Sequence, residues 1–169
     1  MRQRHLLLTV AAAVAVGLVL AATASAQQGS RLQRGKYLAT IMDCAGCHTG
    51  GALMGKPDPG KQLAGETIGF ALPGLGVFYP PNLTPDRETG LGAWTEAQVI
   101  AAVRTGVRPD GRQLAPIMPW HSYAALTDED ARALATYLKS IPAVPNKVPG
   151  PFGPSEAPTH PYLAVTMPK

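Results

Sequence analysis

The sequence predicts an all-α domain in which three or more helices are joined by long, irregular connections. Three segments have amphipathic helical spacing and helix-end signals, whereas the alternation of apolar and polar residues that is typical of strands is scarce. Glycine and proline are abundant, with 18 and 17 copies among 169 residues, and they favour turns over further regular structure. We therefore expect something besides side-chain packing to organise the domain.

The N-terminal 26 residues have the features of a secretory signal peptide. Two arginines open the chain, an uncharged apolar run follows over residues 6–22, and an Ala-Ser-Ala sequence ends at Ala26. The alternative is a retained membrane anchor, but the run is alanine-rich and near the lower length limit for crossing a bilayer. We expect cleavage before Gln27 and export to the periplasm, so that the mature chain has no transmembrane segment.

The mature chain is long enough for one domain with its own core. Its net charge falls from +4 to +2 once the two N-terminal arginines leave with the signal peptide. It has no stripe of lysine and arginine and few aromatic residues among its charges, so nucleic acid is not an expected partner.

The three helical segments follow one another along the chain. The first begins near Ser30, a candidate N-cap, and leads into the two cysteines. The second follows Thr95, which can form a capping box with the glutamine three residues on, and Gly106 is placed to end it. The third begins after Thr127 with three acidic residues and stops at Pro142.

The motif CAGCH contains both cysteines of the chain, Cys44 and Cys47, and His48. A redox-active disulfide would belong at the start of a helix in a βαβ unit, and the sequence lacks that pattern. A zinc site would need four ligands, and no second pair of cysteines or histidines has suitable spacing. The remaining interpretation is covalent haem attachment, in which two thioethers bind the vinyl groups and the adjacent histidine ligates iron. We predict one haem c bound through Cys44 and Cys47, with His48 as an iron ligand.

A haem also accounts for the long irregular segments. Residues 49–93 have little periodicity, and a loop of that length is expected to wrap over one face of the ring. The proline-rich residues 147–169 are expected to form an extended tail. This leaves residues 27–146 as the haem domain.

The chain resembles class I c-type cytochromes, because CxxCH is followed roughly seventy residues later by a methionine that precedes a final amphipathic helix. Over residues 31–146 it is similar to the cytochrome domains of bacterial periplasmic alcohol and gluconate dehydrogenases, through the sequences NLTPD, TGLGAW, PDGR and MPW. Those subunits carry three haem domains, whereas this chain has one. The resemblance implies a small class I cytochrome c fold. It also implies that the first and last helices cross, with Gly35 and Tyr37 meeting Leu134, Tyr137 and Leu138.

Met118 is the predicted sixth ligand of the iron, and His121 is the alternative. Pro116 and Pro119 restrict the backbone on both sides of Met118, and the resemblance selects the same residue. The remaining methionines and histidines leave with the signal peptide, lie too close to the motif, or lack local constraint: His5, Met42, Met54, His160 and Met167.

Four further residues are candidates for contact with the haem. Trp94 and Trp120 are large apolar side chains that can pack beside the ring, and an indole N–H can donate to a haem propionate. Tyr79 and Asn82 lie in the wrapping loop and are expected to line the haem pocket.

Two protein ligands on the iron favour electron transfer over substrate turnover. We predict an exported carrier, not an enzyme, that passes single electrons from a periplasmic dehydrogenase to another cytochrome or a terminal oxidase. The alternatives are a fixed subunit of an oxidoreductase complex, with the tail as a docking arm, and a haem enzyme or gas sensor with a displaceable sixth ligand.

Overall fold

The structure, a computed structural model, describes residues 25–168. The predicted signal peptide lies almost entirely outside the described residues, and only its last two residues fall within them. Helix α1 takes up residues 25–41 of the described chain. The expectation that Ser30 caps this helix is wrong, because residues 25–30 are already helical and the Ser30 hydroxyl donates to the carbonyl of Gln27.

Four further α-helices and three short strands follow among the described residues. The helices are α2 (Cys44–His48), α3 (Glu96–Thr105), α4 (Trp120–Tyr123) and α5 (Asp128–Ser140), and the strands are β1 (Gly69–Leu72), β2 (Gly76–Phe78) and β3 (Tyr162–Leu163). Two single turns of 3-10 helix, Ala52–Met54 and Pro59–Lys61, lie between α2 and β1. None of the helices within residues 25–168 is both long and apolar enough to cross a membrane.

The predicted ends of α3 and α5 are confirmed. Thr95 accepts a hydrogen bond from the Gln98 amide at 3.2 Å, and the Gln98 side chain accepts one from the Thr95 amide at 2.9 Å, so the capping box is complete. Gly106 ends α3 with a left-handed φ of 73°. Thr127 caps α5 by accepting from the amide of Asp130, and the helix ends just before Pro142.

The core lies where α1, α3 and α5 meet. Leu38, Val99, Leu134 and Leu138 are all almost completely buried there, in one cluster that also includes Cys44. Gly35 allows α1 to cross α5 closely, because a Cβ at this position would lie 2.6 Å from the Cβ of Tyr137.

The predicted meeting of Gly35 with Tyr137 is therefore confirmed. Tyr37, which was expected in the same contact, is 52 % exposed and has the Arg34 guanidinium 5.3 Å from its ring centroid. Arg34 instead links the two helices, because it forms an ion pair with Asp130 on α5 at 2.7 Å.

A small sheet means that the all-α expectation is not confirmed. Strands β1 and β2 form an antiparallel hairpin in which Phe70 lies opposite Phe78, and Gly74 and Gly76 adopt the positive φ values that the turn requires. Strand β3 pairs in parallel with β1 and completes the order β2-β1-β3. The strands are only two to four residues long, which is too short to show a period of two in the sequence.

The chain beyond α5 returns along the wrapping loop, and we call residues 143–163 the strap. Phe152 exchanges two backbone hydrogen bonds of 2.9 Å with Val77. The amide of Gly69 donates to the carbonyl of Pro161 at 2.9 Å, next to the pairing of β3 with β1. The proline-rich strap is thus extended, as expected of such a composition, but it is held by pairing rather than left free of the domain.

Candidate functional site

The two cysteines lie on α2, which a tight turn separates from α1. Asp43 makes this turn with a left-handed φ of 51°, and α2 begins at the next residue. Cys44 and Cys47 are three residues apart on this helix and therefore share a face. Burial, with a smaller contribution from the Asp43 carboxylate, raises the pKa of Cys44 to about 11, and the same causes raise the pKa of Cys47. A redox-active pair needs a lowered thiol pKa, so these cysteines do not suit that chemistry.

The imidazole of His48 is oriented by a backbone carbonyl. His48 is only 6 % exposed, and its Nδ1 lies 2.8 Å from the carbonyl oxygen of Pro81. Burial lowers the pKa of His48, so the ring is neutral and the proton that donates to Pro81 sits on Nδ1. The lone pair is then on Nε2, which has no hydrogen-bond partner among residues 25–168. A neutral imidazole fixed through one nitrogen and free at the other is the arrangement that a metal ion binds.

The zinc alternative has no support in the described part of the chain. No cluster of three or more His, Cys, Asp or Glu side chains is placed to hold a metal ion within residues 25–168.

The segment that contains Met118 is held next to α2. The Met118 amide donates to the carbonyl of Ala115 at 2.9 Å, and α4 begins two residues later. Tyr123, on α4, donates its hydroxyl to the carbonyl of Met42 at 3.0 Å, at the turn that precedes Cys44. Burial, followed by the nearby cysteines and Asp43, raises the pKa of Tyr123 to about 12, so this donor keeps its proton at neutral pH. The structure therefore brings α4 against the haem-attachment turn, and ligation of iron by Met118 stays a prediction.

Trp120 carries an orphaned polar atom. Its ring packs against Gly106, where an added Cβ would lie 2.7 Å from the indole Cδ2. The indole Nε1 is buried and has no hydrogen-bond partner among the described residues. An unpaired buried donor costs about 1–3 kcal/mol, and the carboxylate of a bound haem would remove that cost. Together with Cys44, Cys47 and His48, this donor fits a haem.

His121 is placed differently from Met118. It is exposed, and its ring stacks on the indole of Trp120 with 3.4 Å between the ring centroids. A side chain that lies on the solvent side of Trp120 is a poorer candidate for the iron than partly buried Met118.

The other predicted tryptophan, Trp94, packs against the core cluster. The Arg108 guanidinium lies 5.2 Å from its ring centroid, which is within the range of a cation–π contact. Arg108 also pairs with Asp110 at 3.3 Å. The structure thus gives Trp94 protein partners, and a contact with haem stays a prediction.

Tyr79 and Asn82 form hydrogen bonds with other parts of the protein. Tyr79 is buried, its hydroxyl donates to the carbonyl of His160 at 2.8 Å, and its ring lies edge-on to Phe152. Asn82 is 1 % exposed, and both ends of its amide are bonded to protein atoms. The polar atoms of both side chains are bonded to protein atoms that include those of the strap, and a role for Tyr79 and Asn82 in lining the haem pocket stays a prediction.

Two contributors to the site were not expected from the sequence. Pro81 acts through its carbonyl, and every residue has one, so no sequence signal marks it. Tyr123 lies three residues after Trp120 on the same helix face, which is the one pattern that relates it to the site.

The comparisons with known proteins show the family of the chain. A family model described as cytochrome c matches residues 32–142. The chain is 40 % identical over 136 residues to the fructose dehydrogenase cytochrome subunit of Gluconobacter japonicus, a match that covers 76 % of this chain and 26 % of that protein. It is 36 % identical over 145 residues to the cytochrome c subunit of the quinone-type alcohol dehydrogenase of Gluconobacter oxydans (strain 621H), covering 81 % and 28 %. It is 39 % identical over 122 residues to the gluconate 2-dehydrogenase cytochrome c subunit of Pantoea cypripedii, covering 72 % and 26 %. The chain thus spans only about a quarter of the length of these relatives.

Proposed function

This chain belongs to the cytochrome c family, and on that premise we propose that it is an exported protein that binds one haem c and transfers single electrons. The observation that carries the proposal is the state of His48 beside two cysteines on one helix face. Its ring is neutral, its Nδ1 proton is donated to Pro81, and its Nε2 has no hydrogen-bond partner among residues 25–168. A neutral, oriented imidazole of this kind is what a histidine ligand of haem iron requires.

A bound haem supplies reversible one-electron chemistry at its iron. Cys44 and Cys47 would hold it covalently, and His48 would present Nε2 to the metal. Met118 would present a neutral thioether from the segment that Tyr123 fixes to the turn before α2. Trp120, whose buried indole N–H has no partner among the described residues, would donate to a carboxylate of the haem. Two protein ligands would exclude oxygen and peroxide from the metal, which favours a carrier of electrons over an enzyme.

We propose that the electron donor is a periplasmic dehydrogenase and that the acceptor is another cytochrome or a terminal oxidase. Support comes from relatives that are named as cytochrome subunits of fructose, alcohol and gluconate dehydrogenases. The same names favour a second candidate, a fixed subunit of such a complex. Gel filtration of the protein from its native membrane and periplasmic fractions distinguishes the carrier from the fixed subunit. Elution as a monomer supports the carrier, and co-elution with a dehydrogenase supports the subunit.

The test of the haem site is the optical spectrum of the wild-type protein and of Met118→Ala, both matured with haem c. The wild type is expected to show the c-type pyridine spectrum and the weak far-red band of a ferric haem ligated by methionine. Met118→Ala is expected to lose the band and to bind carbon monoxide. His121→Ala is the matched control and is expected to keep the wild-type spectrum. A five-coordinate high-spin wild type would contradict the carrier and favour an enzyme or sensor.

A further inference from the structure

We infer that Asn82 is a positioning residue for His48, through which the strap fixes the imidazole. The inference deepens the proposed function and rests on it, because it takes His48 as the iron ligand. It concerns the chain's own hydrogen bonds.

Asn82 joins three separate segments through a side chain that is 1 % exposed. Its Nδ2 donates to the carbonyl of Val144, at the start of the strap, at 2.8 Å and to the hydroxyl of Thr89 at 3.0 Å. Its Oδ1 accepts from the amide of Thr84 at 2.9 Å and from the Thr84 hydroxyl at 2.7 Å. Two donors and two acceptor sites are the full capacity of an asparagine amide, so the side chain is held from every direction.

Thr84 reinforces the same connection. It is fully buried, and its hydroxyl lies 3.2 Å from the carbonyl of Val144 and accepts from the amide of Val144 at 3.1 Å. The strap therefore meets the wrapping loop at residue 144 through both backbone groups of that residue. Removal of the Asn82 side chain takes away the closer donor to the Val144 carbonyl, and removal of the Thr84 hydroxyl leaves the part-buried Val144 amide without its acceptor.

The peptide unit between residues 81 and 82 contains the carbonyl that orients His48. On one side of this unit, the Glu66 amide donates to the carbonyl of Pro80 at 3.0 Å. On the other side, the Leu83 amide donates to the carbonyl of Leu63 at 2.8 Å. These bonds hold the neighbouring residues, and the bonds of the Asn82 side chain hold residue 82 itself, next to the carbonyl. The direction of the Pro81 carbonyl is therefore expected to depend on the bonds that Asn82 makes with Thr84 and with the strap.

A positioning role and a purely structural role predict different exchange rates for one proton, the proton on Nδ1 of His48. If Asn82 aims the Pro81 carbonyl, its loss weakens the hydrogen bond that protects this proton. If Asn82 merely stabilises the fold, its loss lowers stability and leaves protection of this proton equal to that in any equally destabilised variant.

The experiment measures exchange of the His48 Nδ1 proton with solvent by NMR in the ferrous haem-loaded protein. In Asn82→Ala we expect exchange to be faster by about tenfold, the factor that corresponds to the loss of one hydrogen bond. Asn146→Ala is the matched control, because Asn146 is an asparagine of the strap whose Nδ2 donates to a carbonyl, that of Ala64, at 2.8 Å. It removes the same kind of bond without touching Pro81 or Thr84, and it is expected to keep the wild-type exchange rate.

Thr84→Val is the milder second variant, and it decides the question alone if Asn82→Ala does not fold. It keeps the shape of the side chain, removes the hydroxyl bonded to Asn82 and Val144, and is expected to accelerate exchange less than Asn82→Ala. Equal exchange rates in the Asn82, Thr84 and Asn146 variants would overturn the inference. The proposed function fails by a different result, the absence of a c-type pyridine spectrum in the wild type.

Discussion

The two sides of the candidate haem site are held in different ways. On the His48 side, the ligand is fixed by a network of buried hydrogen bonds that runs through Pro81 and Asn82 to the strap. On the Met118 side, the segment is restrained by two prolines and tied to the turn before α2 by the hydroxyl of Tyr123. Local opening is easiest where few buried contacts must break. If both residues bind iron as proposed, we expect the imidazole of His48 to be the more permanent ligand and the thioether of Met118 to be released first.

Removal of residues 149–169 is expected to have the largest effect and to leave the Met118 side unchanged. The deletion exposes Tyr79 and Val77, which pair with the strap, and the loss of two such buried side chains corresponds to about 3–5 kcal/mol of the free energy of unfolding. Denaturant unfolding of the haem-loaded protein measures it. Binding of external imidazole in place of Met118 is expected to keep its wild-type rate, and a large acceleration would erase the distinction between the two sides.

Trp120→Phe is expected to lower the free energy of unfolding of the haem-loaded protein by about 2 kcal/mol. The change keeps most of the ring that packs on Gly106 and removes the buried indole donor, which we propose to bond to a haem carboxylate. The sign of the change in the free energy of unfolding is decisive, because loss of a buried donor that has no partner would raise this free energy. The midpoint potential is expected to fall as well, since the unpaired carboxylate charge favours ferric iron.

Tyr123→Phe is expected to cost about 1 kcal/mol at neutral pH, through the loss of one hydrogen bond to the Met42 carbonyl. The folded protein raises the pKa of Tyr123 from 10 to about 12. Its contribution to stability is therefore complete below pH 10 and is lost as the pH rises through about 12. Unfolding measured across this range is expected to show the wild type losing its advantage over the variant. A difference that stays constant to pH 12 would mean that the hydroxyl does not hold α4.

Pro116→Ala is expected to have the smallest effect, a loss of about 0.5 kcal/mol that arises mainly from greater freedom of the unfolded chain. In the folded protein the same freedom is expected to speed the replacement of Met118 by external imidazole. Pro168→Ala, beyond β3, is the matched control and is expected to change neither quantity. Equal imidazole-binding rates in all three proteins would show that the proline does not restrain the loop.

The sequence allowed prediction of the features whose causes are local. The ends of α3 and α5 are set by Thr95, Gly106 and Thr127 within one turn of each helix end, and the structure has them there. The CAGCH motif likewise carries its own spacing, so α2 with both cysteines on one face was expected. The start of α1 was missed because a serine can also sit inside a helix and bond to a carbonyl of the preceding turn.

The features that were missed depend on partners far apart in the sequence. Strand β1 pairs with β3 some ninety residues later, and Tyr79 finds its acceptor at His160. No local pattern announces such pairing, so Tyr79 and Asn82 could be placed in the wrapping loop but not matched to the strap. A residue that lies near a predicted cofactor in the sequence can equally well contact a distant segment of the same chain.

The position of the strap in the chain sets an order of events during synthesis. Residue 144 leaves the ribosome long after Cys44, Cys47 and His48, so the bonds of Asn82 to the strap form after the attachment motif is already exposed. The hydrogen bonds of Asn82 are therefore complete only once a segment about sixty residues later in the chain has docked. The orientation of His48 that we infer from them is among the last features of the fold to form.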